Sequence, residues 1–112
     1  MSKYRARKSV VDGITFASRK EAERYKTLKM LERAGQIKKL RLQVPFELQP
    51  SFRFNGKQVR AIKYIADFVY EAPDKTGKTV QVVEDTKGFK TDVYEIKRKL
   101  FLFKYGFEIT EV

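Results

Sequence analysis

Cysteine and histidine are both absent from this 112-residue chain, and each absence closes off chemistry. Without cysteine there is neither a disulfide framework nor a thiolate metal site. Without histidine the usual zinc sites and an imidazole general base are excluded as well. Any metal must be held by oxygen, which selects Mg²⁺, Mn²⁺ or Ca²⁺. Long apolar runs are also missing: nothing approaches the roughly 20 residues that span a bilayer. The opening stretch "MSKYRARKSVVDG" has basic residues but no apolar segment of the signal-peptide kind. The expectation is a soluble, intracellular protein of the cytoplasm with no membrane partner. Acid is the remaining deficit, with 14 Asp and Glu against 25 Lys and Arg, a net charge of +11. So large an excess in so short a chain favours a polyanionic partner, most simply nucleic acid. The plainer alternatives are a soluble basic protein, or one that binds a ribosome or an acidic protein.

The length fits one domain, and 42% hydrophobic residues supply material for a core without staples. Asp12-Gly13 lies between two short apolar segments, a type I′ hairpin signal. Ser18 followed by Glu21 is a capping-box pattern. Ala22, Tyr25, Leu28, Leu31 and Ala34 then recur at helical spacing, with Gly35 as the C-cap. From Leu40 the period becomes two, and Leu42, Val44, Phe46 and Leu48 predict a half-buried strand in which Pro45 marks an edge or bulge. "SFRFNGKQVR" predicts a second hairpin turning at Asn55-Gly56. "AIKYIADFVY" and "TVQVVEDTK" predict two strands joined by the turn-rich "EAPDKTGK". Val93, Ile96, Leu100 and Phe103 predict a second helix between Thr91 and Gly106, and "FEITEV" a last strand. This order implies a mixed α/β fold built on one sheet.

The stretch "VVEDTKGF", Val82 to Phe89, sets two carboxylates and a lysine directly after an apolar run. Alternation puts Asp85 and Lys87 on one face with Val83, and Glu84 and Thr86 on the other. If this strand pairs with the preceding one, Asp67 stands near Asp85 where both apolar runs end. Two carboxylates about 4 Å apart repel by roughly 4 kcal/mol at an effective dielectric near 20. A fold keeps such a pair only if a cation, a shared proton or a function compensates. Lys87 offsets one charge, and a divalent ion bridging both acids offsets more. A third carboxylate is available from the first helix, through Glu21 or Glu23. Each residue also has a plainer use. Glu21 closes its capping box, Glu23 lies on a solvated helix face, Asp67 makes a strand-end salt bridge, and Glu84 faces the surface or a partner unless a bulge rotates the strand.

In this order, "SRKE", "YIADF" and "EDTKG" followed by a basic helix resemble the PD-(D/E)XK nuclease superfamily, over about residues 14 to 112. The run from "VVDGITFASRKEAERY" to "VEDTKGFKT" also looks like a family of small uncharacterised phage and prophage proteins placed in that superfamily. Its layout is similar to that of phage junction-resolving endonucleases and of a transposon end-cleaving nuclease. Ala66 stands where the motif's proline would be. The resemblance implies a restriction-endonuclease-like mixed sheet flanked by two helices, with extra hairpins, over residues 14–112, preceded by a basic arm and hairpin start at 1–13. It implies Mg²⁺ or Mn²⁺ held by Asp67, Asp85 and Glu21, with Lys87 orienting the attacking water, and products with 5′-phosphate and 3′-hydroxyl ends. The activity implied is a DNA endonuclease on branched or nicked DNA in phage replication or recombination, the alternative being a non-catalytic binding protein that keeps the fold. Candidate phosphate contacts are Lys3, Arg5, Arg7 and Lys8 on the arm, Lys90, and Lys97, Arg98, Lys99 and Lys104 on the second helix. A homodimer would be needed to cut two strands, and "LFLFKYGF" is the candidate interface, competing with core packing.

Overall fold

The computed structural model describes residues 8–86 and 89–112. Strand β1 (Ser9–Val11) pairs antiparallel with β2 (Ile14–Phe16). Their turn is the expected type I′, with Asp12 at φ 53° and Gly13 at φ 74°. Helix α1 (Arg19–Arg33) begins at Ser18, whose side chain accepts the Glu21 N–H at 3.1 Å. It ends in a Schellman motif: Ala34 is the C-cap, Gly35 sits one place beyond it at φ 76°, and Gln36 N–H donates to the Leu31 carbonyl at 2.9 Å.

The central sheet has four strands in the order β3 (Lys38–Gln49), β6 (Ile62–Pro73), β7 (Thr79–Asp85), β8 (Thr110–Glu111). The first three run antiparallel and β8 joins β7 in parallel, so the sheet is mixed. Between β3 and β6 the chain makes a separate hairpin, β4 (Phe52–Phe54) and β5 (Lys57–Val59). The mixed sheet flanked by two helices, with extra hairpins, is the architecture expected from sequence. Helix α2 (Asp92–Tyr105) starts at Thr91, which accepts the Tyr94 N–H, and stops at Gly106, φ 80°.

Two apolar cores lie on the two sides of this sheet. Phe16, Ala22, Tyr25 and Leu28 pack with Phe68 and Tyr70 beneath α1. Tyr64, Ala66, Val69 and Val83 pack with Tyr94 and Phe101 beneath α2. The face of α2 departs from the expected one. Val93, Ile96, Leu100 and Phe103 are all exposed, and Tyr94 and Phe101 are buried instead. The buried stripe is rotated because larger rings fill the space over the sheet: Phe101 meets Phe46, Tyr64 and Phe107 edge-on. The two tyrosines of that stripe also find acceptors, Tyr94 on Glu111 at 2.6 Å and Tyr105 on the Glu47 carbonyl at 2.7 Å. Among the described residues no helix is long and apolar enough to cross a membrane.

Candidate active site

The site begins with a break in strand alternation. On β3, Leu40 and Leu42 pack under α1, yet Val44, Phe46 and Leu48 pack under α2, although all carry even numbers. On β6 the same inversion separates Ala66 from Phe68. A regular strand keeps residues two apart on one face, so both strands change faces together, at Gln43 and Asp67. Gln43 supplies the twist with φ 52°, a left-handed conformation unusual outside glycine. This corrects the sequence reading, in which Leu42 and Val44 share one face.

Asp67 lies at this inversion, just past the Phe68–Glu84 pair that ends the β6–β7 ladder. Its Oδ2 accepts from the Thr86 N–H at 2.8 Å and from the Thr86 hydroxyl at 2.9 Å. The carboxylate thereby replaces the backbone acceptor that the diverging strand no longer offers. Its Oδ1 has a long contact, 3.5 Å, with the Gln43 amide. Asp85 is buried at the last position of β7, where its Oδ2 accepts from the Tyr64 hydroxyl at 2.7 Å. Burial, then the hydrogen bond and charge of Asp85, and more weakly the charges of Tyr94 and Asp67, push the Tyr64 hydroxyl pKa far up.

The third acid arrives from α1. Glu21 is buried on the first turn, and only half of its capping box forms: Ser18 accepts the Glu21 N–H, while the Glu21 carboxyl turns toward the acids. Its pKa is pushed up to about 7, first by burial and then by the charge and hydrogen bond of Asp67, with a smaller push from Asp85. An Ala17 backbone hydrogen bond pulls the other way. Glu21 and Asp67 line one cavity of about 340 Å³ with Ile14, Phe16, Leu42 and Gln43. Glu21 and Asp67 therefore form one acid cluster at this cavity, which Asp85 reaches only through a weaker charge repulsion on Glu21. As the side chains stand, no three acids among the described residues form a group that could hold a metal. The donor type still suits Mg²⁺ or Mn²⁺, because Mg²⁺ is usually bound by one or two carboxylates with substrate phosphate and water completing its shell.

Glu84 is not the surface residue that alternation suggested. It is fully buried toward α1, where Arg24 grips it in a two-point bond, Nε to Oε1 at 2.8 Å and Nη2 to Oε2 at 2.6 Å. The Tyr70 hydroxyl donates to the same carboxylate. So Asp85 turns to Tyr64 and Glu84 is spent on a structural ion pair. Gln43, Tyr64, Thr86, Arg24 and Tyr70 were not singled out from sequence; nothing local in the sequence marks them. Glu23 pairs with Lys26 on the exposed face of α1, as expected.

Lys87 lies outside the described residues, as do Lys3, Arg5 and Arg7. Lys8 is exposed. Lys90 pairs with Glu111 at 2.9 Å, Arg98 with Glu95 at 2.9 Å, and Lys104 stands 3.8 Å from Glu47. Lys97 borders a second cavity of about 200 Å³ with Tyr64 and Tyr94, and Lys99 is exposed.

The raised Glu21 carboxyl gives a stability prediction with a definite sign. An ordinary glutamate titrates near 4.5, and this one holds its proton to about 7 once folded. Between those values the folded state binds more protons than the unfolded one, so stability falls as pH rises from 4.5 through 7. The full shift sets an upper bound of about 3 kcal/mol, and solvent at the cleft screens it to roughly 1–2 kcal/mol. Glu32 and Glu111, held low by hydrogen bonds, contribute with the opposite sign. Urea melts in EDTA should therefore show that Glu21→Gln selectively removes the decline above pH 4.5. A variant whose profile parallels the parent's rules the assignment out.

A family profile described as a protein of unknown function (DUF1064) matches residues 1–110. The chain belongs to that family. No curated protein and no solved structure matches it.

Proposed function

We propose that this protein is a metal-dependent DNA endonuclease that hydrolyses phosphodiester bonds, acting on branched or nicked DNA. The observation that carries this reading is the meeting of Glu21 and Asp67 in one cleft, where two strands invert their faces, with Asp85 at the end of the neighbouring strand. Below about pH 7 a proton on Glu21 relieves the repulsion with Asp67, and above it a cation is the natural compensation. The charge of +11 supports a polyanionic substrate.

Asp67 and Asp85 would hold Mg²⁺ or Mn²⁺, with Glu21 joining directly or through water. The bound ion supplies charge neutralisation at the phosphoryl oxygens and a more acidic water. Thr86 and Tyr64 fix the direction of the two aspartates by occupying one oxygen of each. Glu21 must release its proton before it can act as a ligand, so metal binding would displace that proton and tighten as pH rises. Lys87, by the superfamily resemblance, orients the attacking water. Among the described residues, exposed Lys8 and Lys99 and the partly buried Lys97 are free of ion pairs and so best placed to meet phosphate. Lys90, Arg98 and Lys104 are engaged with acids, and Lys3, Arg5 and Arg7 stay candidates on the arm. The uncovered stripe Val93, Ile96, Leu100 and Phe103 on α2 supports a homodimer, which would give two centres for two strands.

Supercoiled plasmid with Mn²⁺, against an EDTA control, tests the activity. Conversion to open circles, and directly to linear form if the protein sediments as a dimer, is expected only with the metal. Intact supercoils under both conditions rule hydrolysis out. Binding without nicking favours the second reading, a non-catalytic DNA-binding protein, which the lack of a formed three-acid group among the described residues supports.

A further inference from the structure

We propose that the β4–β5 hairpin is a DNA-gripping ribbon whose Phe52 and Phe54 stack on unpaired bases while Arg53, Lys57, Arg60 and Lys63 hold the flanking phosphates. This rests on the reading that the partner is DNA, and it adds the kind of DNA: duplex interrupted by unstacked bases. Nothing above assigned a role to this hairpin.

Its sequence is built to turn and not to pack. Asn55 at φ 50° and Gly56 at φ 74° form a type I′ turn that matches strand twist. The Arg53 guanidinium donates to the Gly56 carbonyl at 3.0 Å and so braces the turn. No residue of the hairpin belongs to either apolar core. A two-stranded hairpin is marginal in water by itself, and this one also exposes two phenylalanines, Phe52 at 47% and Phe54 at 65%. Residues two apart on a strand share a face, so the rings form one exposed aromatic edge. Rings kept there without a core to enter are available to a partner.

The charges around them choose that partner. From Gln49 to Ala66 the chain carries four cations and not one carboxylate. None of the four is in an ion pair among the described residues. Aromatic rings interleaved with unpaired cations suit a strand whose bases offer π-faces and whose backbone offers phosphates. A two-stranded ribbon also has the width of a DNA major groove. The hairpin leads in sequence directly into the start of β6, the strand that carries Asp67. Five residues separate Asp67 from the start of β6, about 17 Å at strand rise. That distance is roughly five nucleotide steps along one DNA strand. The ribbon would thus hold unpaired bases several nucleotides from the acid cluster, as a branched or gapped substrate presents them.

The chain has no tryptophan, so Phe54→Trp introduces a single reporter. In EDTA, where hydrolysis plays no part, its emission should be quenched by a duplex carrying an unpaired bubble and by single-stranded DNA, and little by an intact duplex. Phe52→Ala with Phe54→Ala should weaken anisotropy-measured binding to the bubble by about 10-fold or more, and to the intact duplex by less than about 3-fold. Both rings lie outside the cores, so the melting temperature should stay with the parent's. Equal loss on both DNAs, or none, overturns the proposal while leaving the DNA reading intact. A parent that binds neither DNA overturns both. Anionic vesicles are a further arm: if the alanine pair abolishes vesicle binding and leaves bubble binding unchanged, the hairpin serves a lipid surface and the proposal fails.

Discussion

Asp67→Asn is expected to lower metal-dependent plasmid nicking by on the order of 10³-fold or more, with the fold retained. Asparagine is the informative substitution here because of what Asp67 does structurally. Its Oδ2 takes both the N–H and the hydroxyl of Thr86, and an amide oxygen preserves an acceptor for them. Alanine would leave a partly buried N–H without a partner, which costs about 1–3 kcal/mol and mixes a folding defect with a chemical one. The amide also removes a negative charge facing Glu21. The Glu21 carboxyl should then titrate closer to the ordinary range, and the apo variant should lose less stability between pH 4.5 and 7 than the parent. Asp85→Asn keeps an oxygen for the Tyr64 hydroxyl and should lose nicking to a similar degree. DNA affinity in EDTA should hold or increase, since a charge that repels phosphate has gone. Nicking at the parent's rate by either variant would remove these acids from the chemistry.

What the sequence disclosed and what it concealed divide along a physical line. Caps and turns are local, so Ser18, Thr91, Asp12-Gly13 and Asn55-Gly56 were legible from a few neighbours each. The acids were legible because their order and strand context constrain where they meet. Arg24 was not, because its partner Glu84 is 60 residues away. The inversion at Gln43 and Asp67 left no trace in periodicity, since apolar residues keep even numbers on both sides of it. On α2 two apolar stripes compete, and the choice between them depends on which rings fit over Phe46 and Tyr64. Packing decides that, and a one-dimensional pattern does not contain it.

Arg24→Met should destabilise the protein by about 3–5 kcal/mol, a fall of roughly 12–20 °C in melting temperature for a chain of this size. Exposed ion pairs contribute far less, and burial sets this one apart. The Glu84 side chain is 1% exposed and the Arg24 side chain 29%. The guanidinium takes both carboxylate oxygens, and Tyr70 adds a third bond. Removing Arg24 strands a carboxylate in an apolar interior with one hydroxyl for company. Its desolvation is then offset by no counter-charge, which is the source of the deficit. Adding Glu84→Gln removes the charge and should recover most of the loss, which a merely lost packing contact would not. A deficit below about 1 kcal/mol would class the pair with screened surface bridges. Glu84 and Asp85 are consecutive and point to opposite sides of β7. One residue therefore ties the strand to the helix that carries Glu21, while the next bonds Tyr64 on the other side. If the pair is a clamp of this kind, the double variant should refold fully and still nick more slowly than the parent, because a neutral pair holds α1 less tightly against the strand end.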